Sequence, residues 1–166
     1  MPRSWISIGS NIDREINVRG ALAALRDAFG QLVVSPVYEA EAVGFDGEAF
    51  YNLIVGVDTA LQPAELHDLL RAIEARHGRA VDGVRSGSRT LDLDLLTYGS
   101  AVTDQGGKHL PRDEILRYAF VLAPLVDVAG DETHPETGLT YRDHWAVYRG
   151  ADRDRLQVID CPGCQA

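Results

Sequence analysis

The stretch Arg89-Thr90-Leu91-Asp92-Leu93-Asp94-Leu95-Leu96 alternates leucine and aspartate with a period of two. A β-strand is the structure that gives this period two faces, so the leucines enter a core while both carboxylates leave it on the other side. A chain carrying such a strand is committed to a sheet with one apolar face and one face that presents charge. Strand rise sets Asp92 and Asp94 about 6.8 Å apart at Cα. Two like charges that close repel unless a cation sits between them. Mg²⁺ is suited to the place, since it takes oxygen ligands from one or two carboxylates and completes its shell with substrate phosphates. Arg89 stands directly before the pair, with Arg85 and Arg79 upstream. Carboxylates for a metal and arginine forks for phosphate oxygens are the parts that phosphoryl-type transfer requires. An edge strand with a solvated acidic face fits the local pattern equally well.

The rest of the pattern places this strand last in a series. Trp5 to Gly9 reads as a strand that ends at Gly9-Ser10-Asn11, with Ser10 and Asp13 spaced to cap the helix that follows. Val18, Leu22, Leu25 and Phe29 form one apolar stripe on that helix, and Gly30 stops it. Leu32 to Tyr38 is strand-like, although Pro36 marks an edge or a bulge. An aperiodic loop over 40–49 leads into a strand from Phe50 to Thr59. Pro63 opens a second helix that buries Leu66, Leu69, Leu70 and Ile73 and closes at Gly78. A second glycine-bearing loop, 79–88, then reaches the acidic strand. The order β-α-β-β-α-β predicts an α+β fold with a ferredoxin-like core: an antiparallel sheet, helices packed on it, and a C-terminal helical extension over 120–128 and 141–148.

Bulk properties narrow the function classes. At 166 residues with 45% hydrophobic and 25% charged content, a single domain over 1–150 is expected. A net charge of −9 argues against a general nucleic-acid binder, although a metal and a few arginines can still invert the field within one cleft. The N-terminus lacks an apolar signal core and no run reaches membrane-spanning length, so a cytoplasmic protein without a membrane partner is expected. Cys161-Pro162-Gly163-Cys164 is half of a tetrahedral zinc site with no second half. It stands outside the helix-start context of redox pairs, so residues 151–166 read as a flexible tail.

Taken together, Gly9-Ser10-Asn11, Tyr38 leading to Gly44, Asn52, Ile73-Glu74, Gly78-Arg79, Gly87 and Arg89 through Asp94 resemble the 6-hydroxymethyl-7,8-dihydropterin pyrophosphokinases of folate biosynthesis. Phe120-Val121-Leu122-Ala123-Pro124-Leu125, His134-Pro135 and Gly138 extend the resemblance, which runs from about Trp5 to Tyr148. It implies an ATP-dependent enzyme that moves a pyrophosphoryl group to the hydroxymethyl of a pterin and releases AMP. It further implies that Asp92 and Asp94 hold two Mg²⁺ ions, and that Asp92 orients or deprotonates the attacking hydroxyl. Arg79, Arg89, Arg112 and Glu74 would serve the ATP side. Val43, Gly44, Phe50, Asn52 and Phe120 would hold the pterin between aromatic faces, with an amide reading its edge. ATP and the pterin are the expected partners, and a monomer or weak homodimer the expected state.

The chain departs from that family at several points. Ala40-Glu41 stands where Thr-Pro is usual, and Ser86 and Ser88 where a tryptophan and a proline are usual. Pro111-Arg112-Asp113 replaces Pro-His-Tyr, and a family arginine falls on Tyr118 unless Arg117 substitutes for it. A working pyrophosphokinase with a variant nucleotide side, a paralogue for a modified pterin, and a non-catalytic binding module of the same fold all fit this pattern. Retention of both repelling aspartates favours turnover.

Overall fold

β1 (Arg3–Ser10) organises the sheet because its apolar side chains alternate toward two different cores: Ile6 and Ile8 enter one and Trp5 the other. The computed structural model describes residues 1–41, 47–78, 90–105 and 107–164. β1 pairs antiparallel with β4 (Phe50–Asp58) on one side and with β5 (Asp92–Tyr98) on the other. Between them in sequence lie α1 (Arg14–Phe29), β2 (Val33–Val34), β3 (Val37–Ala40) and α2 (Pro63–Arg76). The order β5-β1-β4-β3, antiparallel throughout, is the ferredoxin-like arrangement predicted from the element series.

α1 and α2 cover one face. Val18, Leu22 and Leu25 from α1 meet Leu66, Leu70 and Ile73 from α2 over Ile6, Ile8, Leu93 and Leu95. Each such leucine contributes about 1.5–3 kcal/mol by leaving water. α2 begins with Pro63 in its first turn and a reciprocal Gln62–Glu65 capping box. The predicted Ser10 cap of α1 is not formed: the Ser10 hydroxyl donates to the Thr90 carbonyl at 2.5 Å, and Asp13 takes the cap position with φ 45°. Ser10 thus ties the end of β1 to the start of the acidic strand.

The strand predicted over 32–38 is split at Ser35-Pro36 into β2 and β3, both paired with β4. Pro36 has no N–H for the ladder. Ser35 bridges the gap, its N–H donating to the Ile54 carbonyl and its Oγ accepting the Ile54 N–H at 2.8 Å. On the opposite face α3 (Glu114–Arg117), α4 (Ala119–Ala129) and α5 (Tyr141–Val147) pack Leu122, Leu125 and Tyr141 against Trp5, Ile54 and Leu96. Among the described residues, no helix is long and apolar enough to cross a membrane.

The segment after 150 differs from the flexible tail expected of it. A 3₁₀ turn (Ala151–Arg155) leads into β6 (Leu156–Ile159), which pairs with β3 and sets Leu156 opposite Ala40. Asp152 accepts the Ala119 N–H at 2.8 Å and so caps α4, while Cys161 and Cys164 are disulfide-bonded and buried in the α1/α2-side core. The physical reason is the open edge of β3, whose backbone groups need a partner that four residues of the last segment supply.

Candidate active site

Strand register places the chemistry. Gly9 lies opposite Asp92 on one side and opposite Asn52 on the other, and Ser7 lies opposite Asp94. Asp92, Gly9 and Asn52 therefore form a row across three strands on the sheet face turned away from α1 and α2. Gly9 keeps the middle of that row open: a Cβ there would stand 3.3 Å from Asn52 Oδ1 and 3.7 Å from the Phe50 ring. Above this floor is a cavity of about 470 Å³, with Ala40 and Glu41 on one wall and Glu114, Tyr118 and Phe120 on another.

The cavity has an anionic end. Asp92 and Asp94 both line it, as period-two alternation in β5 requires. The Asp94 carboxyl is pushed up from the usual carboxylate range by burial and then by the charge of Asp92, against the pull of Lys108, Arg71 and Arg112. Arg71 Nη2 stands 3.4 Å and Lys108 Nζ 3.8 Å from Asp94 Oδ1. Asp94 also borders a small hollow with His67, Gln105 and Lys108, where burial, Arg71 and Lys108 push the His67 imidazole down. This second hollow is the cationic side of the aspartate pair.

The cavity also has an aromatic end. Phe50 from β4 and Phe120 from α4 both line it, and Tyr118 stacks on Phe120 with centroids 4.9 Å apart at 23°. Asn52 beside them is buried, and its Nδ2 has no hydrogen-bond partner among the described residues. Buried polar atoms without partners are rare, and an amide with one at a cavity wall is a candidate for reading a bound ligand.

Other predicted residues stand elsewhere. Arg112 donates to Glu114 through Nε at 2.9 Å and lies 2.6 Å from it through Nη2, so Glu114, not Asp113, offsets its charge. Asp113 points to Arg117 instead. Glu74, expected to serve ATP, lies buried behind β5, where Oε2 accepts the Leu93 N–H at 2.7 Å and Oε1 pairs with Arg71. Val43, Gly44, Arg79 and Arg89 lie outside the described residues. Sequence reasoning overlooked Arg71, His67 and Lys108. The available signal was spacing: His67, Arg71 and Glu74 fall on one face of α2 at i, i+4 and i+7.

The donor set can be tested against a metal. Among the described residues no group of three or more His, Cys, Asp or Glu side chains gathers. A zinc site would need such a group, whereas Mg²⁺ is held by one or two carboxylates with phosphates and water. Two hard oxygen donors on one strand face, opening to a cavity, fit Mg²⁺.

The sequence over residues 5–130 matches the family model of 7,8-dihydro-6-hydroxymethylpterin-pyrophosphokinase. The 2-amino-4-hydroxy-6-hydroxymethyldihydropteridine pyrophosphokinase of Pseudomonas aeruginosa is 38% identical over 141 residues, covering 81% of this chain and 85% of that one. The Bacillus subtilis protein of the same name is 38% identical over 129 residues, covering 75% and 77%. Folic acid synthesis protein fol1 of Pneumocystis carinii is 35% identical over 85% of this chain, which spans only 19% of that longer protein. The backbone superposes on Plasmodium falciparum HPPK-DHPS, solved with pterin and p-hydroxybenzoate, with a TM-score of 0.73 at 13% identity, over 95% of this chain and 46% of that one. With the aspartate pair, the open glycine row and the aromatic cavity in one fold, and the match running through all three, the chain belongs to the 7,8-dihydro-6-hydroxymethylpterin-pyrophosphokinase family.

Proposed function

We propose that this chain transfers a pyrophosphoryl group from ATP to the hydroxymethyl group of 6-hydroxymethyl-7,8-dihydropterin. The carrying observation is one cavity that joins the Asp92/Asp94 face to Phe50, Phe120 and the unpartnered Asn52 amide. In the reaction, the pterin hydroxyl oxygen bonds to the β-phosphorus of ATP. The bond from that phosphorus to the oxygen bridging it to the α-phosphorus breaks. AMP leaves with that electron pair, and the hydroxyl proton is lost.

Phe50 and Phe120 hold the flat ring by its faces, and Asn52 Nδ2 donates to an acceptor on the ring edge. This fixes the hydroxymethyl arm toward the anionic end. Asp92, in the same row as Asn52, orients the hydroxyl and accepts its proton, directly or through water. Asp92 and Asp94 would hold Mg²⁺, two ions being expected, whose charge offsets that developing on the phosphate oxygens. Lys108, which lines the hollow beside Asp94, together with the fields of Arg71 and Arg112 on that aspartate, supports this side for the nucleotide. Arg79 and Arg89 are assigned to phosphate oxygens, Val43 and Gly44 to the ring, on the family resemblance. The working unit is a monomer or weak homodimer in the cytoplasm acting on small molecules, not on nucleic acid, and sedimentation in the presence of both substrates checks its size.

The test is AMP release from ATP and Mg²⁺ with and without the pterin. Pterin-dependent AMP, abolished by Asp92→Asn, is the expected result. AMP release that ignores the pterin, or survives Asp92→Asn, would refute the assignment. Turnover of only a modified pterin would move the reading to a paralogue, and pterin binding without turnover would move it to a binding module.

A further inference from the structure

β5 is an edge strand: one side pairs with β1, and among the described residues no other strand follows it in the sheet. The peptide groups on an outer edge are normally met by water or by another strand. At Leu93, midway between the two aspartates, both groups are met by side chains from α2. The Leu93 N–H donates to Glu74 Oε2 at 2.7 Å, and the Leu93 carbonyl accepts from Arg71 Nη2 at 3.0 Å. Arg71 Nη1 pairs with Glu74 Oε1, closing the set, and Nη2 reaches on to Asp94 Oδ1 at 3.4 Å. The two residues are three apart on α2, which brings them side by side over one helical turn. Together they offer one acceptor and one donor, as a neighbouring strand would.

We propose that Arg71 and Glu74 are a positioning pair that clamps the Leu93 peptide and thereby fixes the separation and direction of the Asp92 and Asp94 carboxylates. This rests on the reading of those aspartates as the metal-holding pair. It also accounts for Glu74, whose side chain is 1% exposed. A buried carboxylate is costly unless paired and hydrogen-bonded, and here it has both a cation and a backbone donor. A strand edge held only by water can breathe by several tenths of an ångström, which is enough to misplace groups that act on phosphate. The clamp removes that freedom at the one residue whose movement shifts both aspartates.

The experiment compares wild type with Arg71→Leu, Arg71→Lys, Glu74→Ala and Glu74→Gln. Three readouts are taken: Leu93 amide hydrogen exchange in metal-free protein, the affinity for Mn²⁺ alone by electron paramagnetic resonance, and kcat against pterin KM. Arg71→Leu and Glu74→Ala should each speed Leu93 exchange at least tenfold. Glu74→Gln, which keeps a carbonyl acceptor, should restore most of the protection. Loss of a cation 3.4 Å from Asp94 would by charge alone tighten Mn²⁺ binding, whereas loss of positioning loosens it; Arg71→Leu should weaken it at least threefold. kcat should fall at least tenfold with pterin KM within twofold, and Arg71→Lys should recover part of it. Tightened Mn²⁺ binding, unchanged Leu93 exchange, or faster exchange with unchanged kcat would each overturn the proposal. If wild type gives no pterin-dependent AMP, the reaction assignment fails, and the exchange and Mn²⁺ readouts decide the clamp by themselves. Should Glu74→Ala fail to fold, the Arg71 variants carry the test.

Discussion

Asp94→Asn should abolish turnover and yet make the metal-free protein more stable at neutral pH. The Asp94 side chain is 26% exposed, and its ionised form is opposed by burial and by Asp92. Two charges separated by about the 6.8 Å Cα spacing of the pair would repel by about 2.4 kcal/mol at an effective dielectric of about 20 and by about 0.6 kcal/mol at that of water. The attractions to Arg71 at 3.4 Å and Lys108 at 3.8 Å come from partly exposed side chains, and such pairs are worth about 0–1 kcal/mol each. Removing the charge while keeping the shape should therefore stabilise by about 1 kcal/mol. For a chain of this size that raises Tm by about 2–4 °C.

The pH dependence follows from the direction of the shift. A carboxyl whose folded pKa is raised binds its proton more tightly in the fold than in the unfolded chain, so its ionisation destabilises the fold as pH rises. The advantage of Asp94→Asn should be full above the raised folded pKa, shrink as pH falls through it, and vanish below the ordinary value of 3.8. Calorimetry in EDTA between pH 7 and pH 3.5, on both proteins, reads this directly. Adding Mg²⁺ with a non-hydrolysable ATP analogue should reverse the ranking, because wild type gains about 2.7 kcal/mol at 100 times its Kd and the variant far less. AMP release should drop at least about 100-fold, since losing a proposed metal ligand would forfeit several kcal/mol of charge stabilisation. A variant that melts below wild type in EDTA at pH 7, or one that still turns over, would refute this reasoning.

Asn52→Leu should leave Tm unchanged or slightly higher, since it replaces a buried amide whose Nδ2 lacks a partner among the described residues, while weakening pterin binding about tenfold by calorimetry. Gly56→Ala would put a Cβ 2.5 Å from Trp5 Cζ3 and should cost about 1–3 kcal/mol of stability, read by thermal melting. Asp152→Ala removes the acceptor for the Ala119 N–H at the start of α4. It should cost about 1–2 kcal/mol in denaturant titration and raise pterin KM, because that helix start carries Phe120.

The core topology was legible because each element announced itself by a different period. The 3.6-residue stripes of α1 and α2, and the two-residue alternation of the acidic strand, point each apolar set to one side, and the sheet order follows from connecting them. What stayed hidden was partnership at the edges. Leu156 to Ile159 is too short to carry a pattern, and only the presence of an unpaired β3 edge gives it a place. The Ser35-Pro36 break was half visible: proline signals an interruption, but not that a serine side chain and backbone would bridge it to Ile54.

The site divides along the same line. Asp92, Asp94, Phe50 and Asn52 were legible because strand alternation fixes which face each one takes, and that face became the cavity floor. Glu74 was read on the ATP side from the resemblance alone; where it lies is set by a contact between a helix and a strand edge that no one-dimensional period encodes. The same contact hides Arg71, which in sequence is an ordinary helical arginine and in the fold is the donor to Leu93. A glutamate buried on a helix signals a backbone or cation it must reach, since its charge cannot be left unmet. In this fold it reaches the one edge peptide between the two aspartates. The residues proposed to make the chemistry face the cavity and obey the strand period; those proposed to hold it in register stand behind the strand and obey the topology.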